Sequence, residues 1–122
     1  MFLKLNNMKI FFFVLCMLIS VSVSADSPEI LDAKAELQSS QRYNIAVTLR
    51  HPDTGWEHYA DEWVVEVDGE IIAIRTLHHP HVDEQPFTRS LRDVNIPNDA
   101  KSVNIYAKCN QNDRSKGFVL HR

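Results

Sequence analysis

From residue 31 onward, apolar and polar residues alternate with a period of two, and no other feature of the sequence constrains the fold as tightly. Leu31, Ala33, Ala35 and Leu37 enclose Asp32, Lys34 and Glu36, and Tyr43, Ile45, Val47 and Leu49 repeat the pattern. Successive side chains of an extended chain point to opposite faces, so each stretch reads as a half-buried strand with one face towards a core. Trp63, Val65 and Val67 give a third strand. Asp68-Gly69 then has the two-residue turn chemistry of a hairpin leading into Glu70–Thr76. A fifth strand runs from Phe87 to near Arg92, a sixth carries Val103, Ile105 and Ala107, and a seventh holds Phe118 and Leu120 after Gly117. Seven short strands with hardly any helical period predict an all-β, immunoglobulin-like antiparallel β-sandwich of one domain. A small closed barrel is the alternative.

The first 25 residues follow a different pattern. Lys4 and Lys9 precede an apolar run from Ile10 to Ser20, and small residues lead up to Ala25. This is the layout of a cleaved signal peptide, which makes residues 26–122 the mature domain and its location periplasmic or secreted. The apolar run falls short of the roughly 18 to 20 residues that a spanning helix needs, so no membrane anchor is expected after cleavage. Cys16 would leave with the leader, and Cys109 alone would remain. A single thiol cannot form an internal disulfide, and in an oxidising compartment it must be buried, metal-bound or paired with another chain. Once Lys4 and Lys9 are set aside from the 13 basic residues, 11 face 16 acids, a net charge of −5. That balance argues against nucleic acid and anionic membrane as partners.

Strand counting also sorts the histidines. If every strand crosses the full height of the sandwich, successive loops alternate between its two ends. His51, His58, His78, His79, His81 and Cys109 then gather at one end, with His121 at the other. Imidazole and thiolate from neighbouring loops are the donors that hold iron, copper or zinc. The candidate metal ligands are therefore His51, His58, His79, His81 and Cys109. Asp53, Glu57, Asp61, Asp83 and Glu84 share the region and could orient the imidazole N–H groups. Trp56, Glu57, Tyr59, Asp83 and Glu84 are candidates for the surrounding shell or for a binding surface. Trp56 and Tyr59 read as a lid over the open end in preference to a contact surface, and Trp63 reads as core. Solvated loop histidines are the competing reading. No catalytic residue is assigned: a Gly-x-Ser-x-Gly motif is absent, and three unclustered glycines exclude a phosphate-binding loop.

The stretch "HPDTGWEHYADEW", together with Cys109-Asn110, is similar to the iron-binding domain of the desulfoferrodoxin or superoxide reductase family. The resemblance implies an immunoglobulin-like sandwich holding ferrous iron through four histidines and one cysteine, with superoxide reduced at an open coordination position. It would make His51, His58 and Cys109 ligands, with Glu57 beside them. His51 and His58 stand one residue farther apart than in that family, no histidine precedes His51, and Asn112 occupies the place of the last ligand. Histidines from residues 78 to 81 would have to substitute. Separately, "HPDTG" from His51 and "QPF" from Gln85 resemble the sandwich subunit of the periplasmic thiosulfate-oxidation carrier complex. That likeness implies a non-catalytic module with a protein partner in the periplasm. The expectation that joins these readings is an exported binding module with a transition metal, iron or copper, at its histidine-rich end. An iron-dependent superoxide reductase and a carrier-complex partner subunit are the alternatives.

Overall fold

The structure, a computed structural model, describes residues 26–122; the signal-peptide reading and Cys16 lie outside the described residues. Its seven strands are β1 (Glu29–Ser39), β2 (Arg42–Arg50), β3 (Ala60–Val67), β4 (Glu70–Thr76), β5 (Phe87–Asn95), β6 (Val103–Cys109) and β7 (Phe118–Val119). They form two antiparallel sheets, ordered β1-β2-β5 and β4-β3-β6-β7. The chain is thus an all-β sandwich of the immunoglobulin-like kind, and the closed barrel is not formed. β4 pairs with β3 and does not join the first sheet, as the fourth strand does in antibody constant domains.

The alternation fixes which residues fill the space between the sheets. Tyr43, Ile45, Val47 and Leu49 of β2 are buried, as are Trp63, Val65 and Val67 of β3 and Val103, Ile105 and Ala107 of β6. Register places Trp63 opposite Ala107, so the largest side chain of the core has one of the smallest as its neighbour. Leu77, Phe87, Val94, Ile96 and Leu120 close the cluster. Each large aliphatic buried this way contributes about 1.5–3 kcal/mol relative to exposure.

β1 keeps the predicted phase at Ala33 and Ala35, which pack against the core, and departs from it at Leu31. A register shift between Ile30 and Asp32 puts Ile30 in the inward row in place of Leu31, which is 38% exposed. Leu37, opposite Tyr43, holds the row but is 59% exposed near the end of the strand. A bulge adds one residue to one strand and changes the face on one side of it, which sequence alternation alone does not reveal.

The loops sort to two ends as expected. At one end the β3–β4 turn has positive φ at Asp68 (49°) and Gly69 (88°), the conformation that a two-residue hairpin favours. The Asp68 carboxylate accepts the backbone N–H of Ser102 (2.8 Å) and of Lys101 (3.0 Å), which ties this turn to the β5–β6 loop. The bond from Ser102 holds the Asp68 carboxyl below its ordinary range. Arg122 beside His121 reaches the same loop through the carbonyl of Ala100. The β2–β3, β4–β5 and β6–β7 connections meet at the opposite end.

Candidate metal centre

Two of the candidate ligands owe their position to strand parity. His51 lies one step beyond β2 in the row Tyr43, Ile45, Val47, Leu49, and it is buried like the rest of that row. Cys109 ends β6 in the row Val103, Ile105, Ala107, with no exposure at all. Each caps the inward face of an interior strand, one from each sheet. An imidazole and a thiol are thereby turned into the top of the core.

His58 arrives by a tight reversal of the β2–β3 connection. The N–H of Thr54 donates to the carbonyl of His58 (3.0 Å), and the N–H of His58 donates to that of Gly55 (3.2 Å). Gly55 has φ 148°, a conformation that residues with a side chain rarely adopt, so glycine is favoured at this position. The reversal carries the His58 ring back onto His51, edge to face, with centroids 4.6 Å apart. Asn110 then fastens the β6–β7 loop beneath it. Its Oδ1 accepts the N–H of Tyr59 (3.1 Å), its Nδ2 donates to the carbonyl of Trp56 (3.0 Å), and its own N–H donates to the carbonyl of Tyr59 (3.0 Å).

His51, His58 and Cys109 each offer one donor atom, and these atoms lie within 4.8 Å of one another. The Nδ1 of His51 is bonded to Asp53 Oδ1 at 2.6 Å, which leaves Nε2 as its free nitrogen. Nε2 of His51 and Nε2 of His58 are both buried without a hydrogen-bond partner. A buried polar nitrogen left unpaired costs about 1–3 kcal/mol, so the site is polar and has donor atoms to offer a ligand. The three residues form a cluster that could hold a metal ion.

Asp53 is the acid that organises this end. Besides His51, its two oxygens accept the N–H of Ala60 (3.0 Å) and of His81 (2.8 Å), so one buried carboxylate joins β2, β3 and the β4–β5 loop. Gln85 reinforces the join: its Oε1 accepts the N–H of His51 (3.0 Å) and its Nε2 donates to the carbonyl of His81 (2.9 Å). The sequence flagged five acids here without separating Asp53 from the others, and it gave no sign of Gln85 or Asn110 as fasteners.

His79 and His81, expected among the ligands, fall outside the cluster. His79 is exposed, with Nδ1 3.1 Å from the carbonyl of Pro80. His81 is buried, but its Nε2 accepts from Arg89 Nη2 (2.9 Å) and its ring stacks on Phe87 at 3.9 Å. Burial, followed by the Arg89 and His79 charges, lowers the His81 pKa. Arg89 thus occupies His81 Nε2 and also pairs with Glu84 (3.1 Å); His81 Nδ1 is buried without a partner, but His81 is not one of the three residues whose donor atoms come together. Asp83, Glu84 and Glu57 are all exposed, and none orients a ligand histidine. Trp56 is 65% exposed and meets Tyr59 edge to face at 5.6 Å, so it stands at the surface and does not form the expected lid.

Fold and site together define a class: a small β-sandwich with a histidine, histidine and cysteine cluster at one end. Comparison of the chain with protein-family models, curated proteins and solved structures finds no match.

Proposed function

We propose that this chain is an exported β-sandwich module that binds one transition-metal ion through His51, His58 and Cys109. The observation that carries the reading is that His51, His58 and Cys109 bring one donor atom each within 4.8 Å of one another, while each histidine has a buried Nε2 without a hydrogen-bond partner. Solvated loop histidines would point outward and satisfy their nitrogens with water. A cysteine buried merely as a small apolar residue would have apolar neighbours, whereas Cys109 has two imidazoles within reach. The Asp53 carboxylate on His51 Nδ1 is the partner that metal-bound histidines usually have: it fixes the tautomer and raises the basicity of the other nitrogen.

The resemblance to superoxide reductases draws on the same three residues. An iron centre of that kind needs further histidines, and the other buried histidine among the described residues, His81, has its Nε2 on Arg89.

Metal content of untagged protein, measured by mass spectrometry after exposure to iron(II), copper and zinc in turn, tests it. One retained ion per chain, lost in His58→Ala and in Cys109→Ser, is expected. An ion content no higher in the parent than in these two variants overturns it.

A further inference from the structure

The geometry points to copper as the ion, held by two imidazole nitrogens and one thiolate in a trigonal arrangement that accepts and returns a single electron. This rests on the metal-binding reading and adds to it the identity and the redox behaviour of the ion.

Coordination number comes first. Among the described residues, the cluster that could hold a metal contains three members and no carboxylate. Asp53, the nearest buried acid, already accepts three hydrogen bonds, and these fix the loops that build the site. Moving it onto an ion would leave buried N–H groups of Ala60 and His81 unpaired. His51 and Cys109 are closed off from solvent, so the several waters with which magnesium, manganese or iron(II) would complete six positions could enter only from the His58 side. Structural zinc sites are almost always four-coordinate with four protein ligands, and zinc on three protein ligands takes a water in the fourth position, so competition with zinc decides between the two ions.

Ligand chemistry points the same way. Thiolate with imidazole suits copper, which also stands highest in the affinity order of first-row divalent ions, and a trigonal set of two histidines and a cysteine is the pattern of electron-transfer copper sites. With bonds of about 2.0 Å to nitrogen and 2.3 Å to sulfur, a trigonal ion holds its donors about 3.5 to 3.7 Å apart. The present limit of 4.8 Å is wider by little more than an ångström, so the three donors would close in by about that much around a bound ion.

Rigidity supplies the redox part. His51 is fixed by Asp53 and Gln85, and Cys109 is fixed by strand pairing with Ala60. A site that keeps its ligands in place can take copper(II) to copper(I) with no ligand bond made or broken; the electron comes from a one-electron reductant, for which ascorbate serves as the probe. His58, whose ring is only partly buried, is the ligand nearest solvent and the route by which the electron would pass.

The test is to load untagged protein with copper(II), record its visible spectrum, add ascorbate, reoxidise in air, and compete the copper with equimolar zinc(II). The expected result is one copper per chain, retained against zinc, with an intense thiolate-to-copper band that bleaches on reduction and returns on reoxidation. Cys109→Ser should lose the band; His58→Gln, at a less buried position, should lose stoichiometric copper while keeping the parent's circular dichroism. Zinc or iron held in place of copper, or copper bound without the thiolate band, overturns the copper assignment and leaves metal binding standing. Failure of every ion to bind removes both.

Discussion

Asp53 Oδ1 lies 2.6 Å from Nδ1 of His51, and both side chains are fully buried. The same carboxylate accepts the backbone N–H groups of Ala60 and His81. One side chain thus sets the tautomer of a candidate ligand and fastens the three segments around it. Asp53→Asn turns an amide N–H₂ towards at least one of these donors. Metal affinity is expected to fall about 10- to 100-fold, as for other partners of ligating histidines. Stability should fall by about 1–3 kcal/mol for a buried donor left unpaired. Metal titration and urea unfolding of the same variant separate the two effects.

Asn110 makes no contact with an ion in this account, yet it holds the His58 loop through Trp56 and Tyr59. Asn110→Ala should cost about 1–2 kcal/mol. Faster amide exchange at Tyr59, with exchange at Val47 and Val65 unchanged, is the local signature to look for.

His58 and Trp63 separate site from core. His58 is partly buried at the loop end, and His58→Ala should abolish metal retention while shifting unfolding by no more than about 1 kcal/mol. Trp63 is fully buried opposite Ala107, and Trp63→Ala should cost about 3–5 kcal/mol. Denaturant midpoints of the two variants check the assignment, and the reverse order of damage would show it inverted.

How much of this was legible follows from strand parity. The rows Tyr43 to Leu49 and Val103 to Ala107 were visible in the sequence. Extending each by one step of two reaches His51 and Cys109, so the inward direction of both was already encoded. Loop counting correctly brought the histidine-bearing connections to one end. It could not tell His58 from His81, because that choice depends on the reversal at Gly55 and on Arg89 reaching His81 from β5. The exchange of Leu31 for Ile30 in the inward row of β1 escaped for a related reason: the bulge between Ile30 and Asp32 depends on pairing with β2 and leaves no mark on the local alternation.

His81 gives the apo protein a pH dependence. Burial, then the Arg89 and His79 charges, depress its pKa in the folded state, so the folded protein resists a proton that the unfolded chain accepts. The contribution of His81 to stability is full above the unfolded value of about 6.5 and is lost as pH falls through the lowered folded value. Urea midpoints of metal-free protein should drop from about pH 7.5 to about pH 5, and less steeply in His81→Gln. Equal slopes in the two proteins would assign the dependence to other groups.

X-ray absorption on protein loaded with one equivalent of metal reads the coordination shell itself and bears most directly on the claim that His51, His58 and Cys109 hold an ion. The account predicts one sulfur at about 2.3 Å and two imidazole nitrogens at about 2.0 Å. The sulfur should disappear in Cys109→Ser. A shell of oxygen and nitrogen alone, unchanged by that substitution, would place the ion elsewhere on the protein and contradict the assignment.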